Sequence, residues 1–105
     1  MEQSQGKPCR YRPAALSDLE DIWSFTAQRW SPDQAAAYVT DLAAAIDRLS
    51  ANPGIVRERI EFTPTVRIYN FKAHIVIFRD EGDHLDIIRI RHEREDWTSD
   101  LSDAG

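Results

Sequence analysis

The chain has 105 residues, 42% hydrophobic and 30% charged, which is enough for one domain with its own core and too few for two. Its formal charge of -5 works against generic affinity for nucleic acid, and its single cysteine, Cys9, excludes an intramolecular disulfide or a C-x-x-C metal ribbon. No run reaches the roughly 20 apolar residues of a membrane helix, and residues 1–7 lack an apolar signal-peptide core, so the expectation is a cytoplasmic protein.

Residues 1–6 are polar and unpatterned and read as a disordered leader. Residues 7–12 alternate around Cys9 and Tyr11, the period of a strand, and Pro8 marks it as an edge strand. From Ala14 the period lengthens: Leu16, Leu19, Ile22/Trp23, Thr26 and Trp30 recur at three- and four-residue steps, the spacing of one helical face. That face predicts Trp23 and Trp30 in the core and leaves Phe25, one step off it, as an exposed aromatic that a partner would cover. Ser17 and Glu20 have the spacing of a capping box, and Asp18, Glu20 and Asp21 suit the positive end of a helix dipole, so the helix is expected to start between Ala14 and Asp18. It ends at Trp30. Ser31 then caps a second helix, with Pro32 in the first position and Gln34 completing the box.

The second helix runs from Pro32 to about Ala51, with Ala35, Tyr38/Val39, Leu42/Ala43, Ile46 and Leu49 on one face. Its alanines favour helix and permit close approach of the first helix. Asn52-Pro53-Gly54 stops it. Residues 55–64 have no clean period and read as a loop or a poorly formed strand. Val66–Phe71, residues 74–79 and Leu85–His92 then alternate as strands, joined by Lys72-Ala73 and Glu81-Gly82-Asp83, and so form an antiparallel meander. The last strand is apolar on both faces, like a central strand buried on two sides. Strict alternation sends Ile88, Ile90 and His92 to one face and Ile87, Arg89 and Arg91 to the other. The order β-α-α-β-β-β predicts an α+β fold, an N-terminal helical hairpin packed on a small twisted antiparallel β-sheet. One domain spans residues 7–97, and a flexible tail, 98–105, follows.

Past Ile90 the last strand turns into a cluster of ionisable groups. Cleavage of RNA needs a base for the 2′-hydroxyl, cations for the developing phosphate charge and an acid for the leaving oxygen; His92 with Arg59, Arg67, Arg89 and Arg94 supplies these by type. The competing reading is a hydrogen-bonded histidine at the end of a core strand, and Glu93 and Glu95 add negative charge where a ribonuclease would profit from positive charge. His74, His84 and His92 lack the short paired spacing of metal ligands, so neither a metal site nor a cofactor is expected. Arg67 and Arg89, if they lie on adjacent strands, form a cationic patch for a partner carboxylate.

Several marks recur together over residues 11–97: Leu19-Glu20-Asp21-Ile22-Trp23, Arg29-Trp30, Asn52-Pro53-Gly54, Arg67, His74-Ile75-Val76-Ile77-Phe78-Arg79, and Ile88-Arg89-Ile90-Arg91-His92 followed by Arg94 and Asp96. In this order and at this spacing they resemble the RelE/ParE superfamily of toxin–antitoxin toxins, and more specifically its ParE branch. The resemblance implies a small toxin that acts on DNA gyrase without being a hydrolase. It also implies a ParD-like antitoxin that neutralises the toxin in a hetero-oligomer, while this chain binds no DNA sequence itself. RelE-like toxins instead cleave messenger RNA in the ribosome, so a ribosome-dependent endoribonuclease is the alternative, and an inactive antitoxin-binding module a second one. The candidate partner-binding residues are Phe25, Arg59, Arg67, Arg89, Arg91 and Trp97.

Overall fold

Two helices and five strands make up residues 6–99, the part of the chain that the computed structural model describes; residues 1–5 and 100–105, with most of the expected leader and tail, lie outside the described residues. In chain order the elements are β1 (Cys9–Tyr11), α1 (Pro13–Arg29), α2 (Pro32–Ala51), a 3-10 turn (Pro53–Ile55), β2 (Glu58–Arg59), β3 (Val66–Phe71), β4 (His74–Asp80) and β5 (Leu85–His92). The strands form one sheet in the order β1-β5-β4-β3-β2. The three-strand antiparallel meander is present as expected. At one edge β2, within the stretch read as a loop or poor strand, pairs antiparallel with β3. At the other edge β1 lies parallel to β5, Cys9 beside Leu85 and Tyr11 beside Ile87, so the sheet is mixed. A three-residue strand carries no sequence signal of its direction; the helical hairpin that follows it lets it run parallel to its neighbour.

The first helix begins earlier than its capping-box spacing suggested. Pro13 occupies its first position behind an extended Arg12, and no side chain caps it. The fixed φ of proline suits that position, which leaves Ser17 and Glu20 inside the helix. The second helix follows expectation: Ser31 is extended and its Oγ accepts the Gln34 N–H at 3.0 Å.

The core has two sides, divided by the sheet. Toward the helices, Ala15, Ile22, Leu42, Ile46 and Leu49 pack on Val76, Phe78, Leu85, Ile87 and Ile90. On the far face Val66, Ile75, Ile77 and Ile88 are covered in part by Phe62, Ile68 and Trp97. Strict alternation fails in β5, because Ile77 pairs with Arg89 and Phe78 with Ile87, leaving Ile88 as the extra residue of a β-bulge. The bulge puts Ile87 and Ile90 on the same, helix-facing side and Ile88 alone on the other. A second correction concerns α1. Its buried line is Ala15, Asp18 and Ile22, and Trp23 and Trp30 are exposed. The large side chains sit one position, about 100°, round the helix from the small and branched ones that let α1 approach the sheet.

A candidate partner groove beside the charged strand end

Asp18 lies on the sheet-facing side of α1 with its carboxylate buried. Arg89 of β5 donates to it twice, Nε to Oδ2 at 2.8 Å and Nη2 to Oδ1 at 2.9 Å, and the Ile90 N–H adds a third bond at 2.9 Å. The Arg91 guanidinium stands 3.8 Å from Oδ1. Bidentate, charge-assisted bonds of this kind are directional, so they set the register of α1 on β5. Beyond β5 the chain folds back on itself. Glu95 accepts the His92 N–H at 2.8 Å and lies 3.3 Å from Arg91, and His92 Nδ1 accepts the Arg94 N–H at 3.1 Å.

Beside this turn two imidazoles meet edge to face, the rings of His74 and His92 standing 5.4 Å apart. The Tyr38 hydroxyl reaches His74 Nδ1 at 2.7 Å from α2. Burial pushes the His74 pKa down, His92 lowers it further, and Glu95 and Glu93 pull the other way. Burial raises that of Tyr38. Burial thus favours the neutral form of both groups, and the phenol hydroxyl can donate to an unprotonated Nδ1 or accept from Nδ1–H, according to the imidazole tautomer.

Between α1 and the end of β5 lies an open groove of about 360 Å³. Ile22, Thr26 and Ile90 form its apolar floor; Phe25, Asp21, His74, His92, Arg91 and Glu95 surround it. Phe25 is 63% exposed on its rim. The groove thus combines an apolar base with a polar, mixed-charge border, the composition of a small partner-docking surface rather than of a buried active site.

Of the residues singled out from the sequence, Phe25, Arg91 and His92 line this groove and Arg89 lies against it through Asp18. Arg67 does not join them. It sits on β3, with β4 between it and β5, and its guanidinium donates to the Val56 carbonyl. The adjacent-strand patch of Arg67 and Arg89 therefore does not form. Arg67 pairs across to Phe78, whereas His92 pairs with His74; four residues of β4 separate the two rows, about 13 Å. Arg59 is held by Glu61 at 2.6 Å and over the Phe62 ring, Arg94 is exposed in the closing turn, and Trp97 tilts against Phe62 over the far face of the sheet. Asp96 bonds its own chain end, through Thr98 and Ser99, rather than an arginine.

Sequence reasoning missed Asp18, taken as a dipole-facing acid, and the Tyr38–His74 contact. A signal for the first was present: Asp18 interrupts the Ala15 to Ile22 line at helical spacing, and a lone acid on a buried line needs a cation opposite. Among the described residues no three His, Cys, Asp or Glu side chains are grouped to hold a metal ion, and no helix is long and apolar enough to cross a membrane.

Comparison with known proteins gives a consistent result. The family model "ParE toxin of type II toxin-antitoxin system, parDE" matches residues 9–97. A protein named "Toxin ParE1" from Mycobacterium tuberculosis is 41% identical over 90 residues, covering 85% of this chain and 92% of its own. Another "Toxin ParE1", from Caulobacter vibrioides, is 34% identical over 87 residues, covering 83% and 90%. Among solved structures, a chain of the chromosomal ParDE TA system from P. aeruginosa superposes with a TM-score of 0.72, covering 85% of this chain and 98% of that one; at 22% identity it is a likeness of fold.

Proposed function

Because this chain belongs to the ParE toxin family of type II toxin–antitoxin systems, we propose that it inhibits DNA gyrase as a protein inhibitor in the cytoplasm, and that a ParD-like antitoxin holds it inactive. The observation that carries this reading over a ribonuclease is the dispersal of the required groups. His92 lies at one end of β5, Arg67 lies two strands away and about 13 Å along the sheet, and Arg89 is already committed to the Asp18 carboxylate. Phosphate chemistry needs cations converging on one oxygen, and pairing with a buried carboxylate opposes that use. The groove below Phe25 supports the second half of the proposal. An apolar floor with a rim of both charges fits one or two anchoring side chains of an antitoxin segment, with polar bonds fixing its direction.

A supercoiling assay with the purified chain tests the target: loss of gyrase activity that the antitoxin restores is the expected result. Unimpaired supercoiling at large excess of the chain removes the gyrase reading. Transcript cleavage on ribosomes that disappears in His92→Ala would establish the ribonuclease instead. Normal growth on induction without antitoxin, with the complex still forming, would leave an antitoxin-binding module.

A further inference from the structure

Asp21 and Phe25 both line the groove, and both are exposed on the same side of α1. Residues four apart on a helix are neighbours, with Cβ atoms about 6 Å from each other, so this carboxylate and this ring share one rim. The other charges at this end are already met. Arg89 is forked onto Asp18, and Arg91, the cation lining the groove, stands 3.8 Å from that carboxylate and 3.3 Å from Glu95. Glu95 in turn accepts the His92 N–H. The Asp21 carboxylate has no ion-pair partner among the described residues, so the uncompensated charge of the rim is negative and lies one helical turn from an open aromatic face.

On the reading of this groove as the antitoxin interface, we propose that it seats the guanidinium of an arginine carried by the antitoxin segment. The guanidinium plane lies over the Phe25 ring, its N–H groups donate to the Asp21 carboxylate, and its methylene stem runs along Ile22, Thr26 and Ile90. Each feature of the rim narrows the choice. An acidic side chain is repelled by Asp21. A wholly apolar one fills the floor but covers the carboxylate without pairing it, which desolvates a charge for no return. Lysine meets the charge, yet its ammonium is strongly hydrated and has no flat face to lay on Phe25. A guanidinium is planar, weakly hydrated and armed with a fork of donors, so it can pair with a carboxylate and stack on a ring at once. Its apolar stem suits the floor, as charged side chains bury their methylenes and keep their heads at the polar edge. The fold already uses the same fork one turn earlier in α1, where Arg89 grips Asp18.

A double-mutant cycle with the antitoxin tests this. In calorimetric titrations Asp21→Asn weakens the complex about tenfold, while Asp21→Glu stays within about threefold of wild type. Phe25→Leu, which keeps apolar area and loses the π face, weakens it about threefold. Asp21 is exposed, so the circular dichroism of Asp21→Asn is unchanged. Each arginine of the antitoxin is then changed to glutamine in turn. One of these changes weakens binding to the wild-type chain about tenfold and has little further effect on binding to Asp21→Asn, and lysine at that position recovers only part of the loss. An Asp21→Asn chain that binds as tightly as wild type, an antitoxin with no arginine coupled to Asp21, or full recovery by lysine overturns the proposal. Phe25→Ser separates this failure from that of the groove. If it still weakens the complex, the antitoxin occupies the groove with some other side chain; if it has no effect, the groove is not the antitoxin's and the arginine falls with it.

Discussion

Asp18 of α1 and Arg89 of β5 are 71 residues apart in the chain and joined by two parallel hydrogen bonds of 2.8 and 2.9 Å. The same carboxylate takes the Ile90 N–H, so one buried acid holds a helix and a strand together at three points. Removing it strands a guanidinium and a backbone N–H beneath α1. Asp18→Ala is expected to cost about 3–5 kcal/mol, because breaking a buried pair leaves its partner uncompensated. Arg89→Met should cost less, since Asp18 then keeps the Ile90 N–H and has Arg91 at 3.8 Å. Urea midpoints of the two variants give the order; an equal or reversed cost would show that Asp18 is not the organising member.

Much of this fold is legible in residue order, and the losses have physical causes. Strands β3 to β5 and the second helix announce themselves because Ile68, Ile75, Ile77, Leu42, Ile46 and Leu49 repeat with the period of their element. The face of α1 does not. Leu16, Trp23 and Trp30 make one helical stripe and Ala15 and Ile22 another beside it, and only the closeness of the sheet selects the smaller set. The bulge at Ile88 is hidden for a related reason: a one-residue slip depends on the opposing β4, and β5 alone alternates smoothly through it. For the site, Phe25 and the Arg91-His92 end could be picked out singly. Their meeting, and the separation of Arg67 from them, follow from the strand order, which no local pattern contains.

The two serine caps read from the sequence differ in the fold, and mutation separates them. Ser31 accepts the Gln34 N–H, so Ser31→Ala should cost about 1 kcal/mol. Ser17 lies inside α1, where alanine is the better helix former, and Ser17→Ala should be neutral or slightly stabilising by a few tenths of a kcal/mol. Thermal or urea unfolding of the pair checks this; a comparable loss at Ser17 would place the helix start near that residue after all.

Phe25 and Trp97 were both partner candidates, and their surroundings now predict opposite phenotypes. Phe25 is exposed on the groove rim, so Phe25→Ser should leave stability within about 0.5 kcal/mol and weaken the antitoxin complex tenfold or more. Trp97 packs with Phe62 against the far-face cluster of Val66, Ile75, Ile77 and Ile88, so Trp97→Ser should chiefly lower the unfolding midpoint. Calorimetric titration with the antitoxin and urea unfolding, run on both variants, distinguish the roles; unchanged antitoxin affinity in Phe25→Ser removes the groove from that interface.

His74 gives the fold a pH dependence of definite sign. Its pKa is lowered from the ordinary 6.5 by burial and by His92, against the opposing pull of Glu95 and Glu93. Tyr38 approaches from α2, and Lys72 lies over the Tyr38 and Phe71 rings. As the pH falls the unfolded chain takes up the proton before the folded one does. The stability due to His74 is therefore complete above about pH 6.5 and is lost as the pH drops below it toward the folded pKa. Urea midpoints measured from pH 7.5 down to 5.5 should fall in the wild type, and more shallowly in His74→Gln, which retains a polar side chain but has nothing to titrate. The difference between the two slopes isolates His74 and is the quantity to read. Parallel slopes would mean that His74 protonates as easily in the folded chain as in the unfolded one, and that the Tyr38 hydroxyl tolerates the imidazolium.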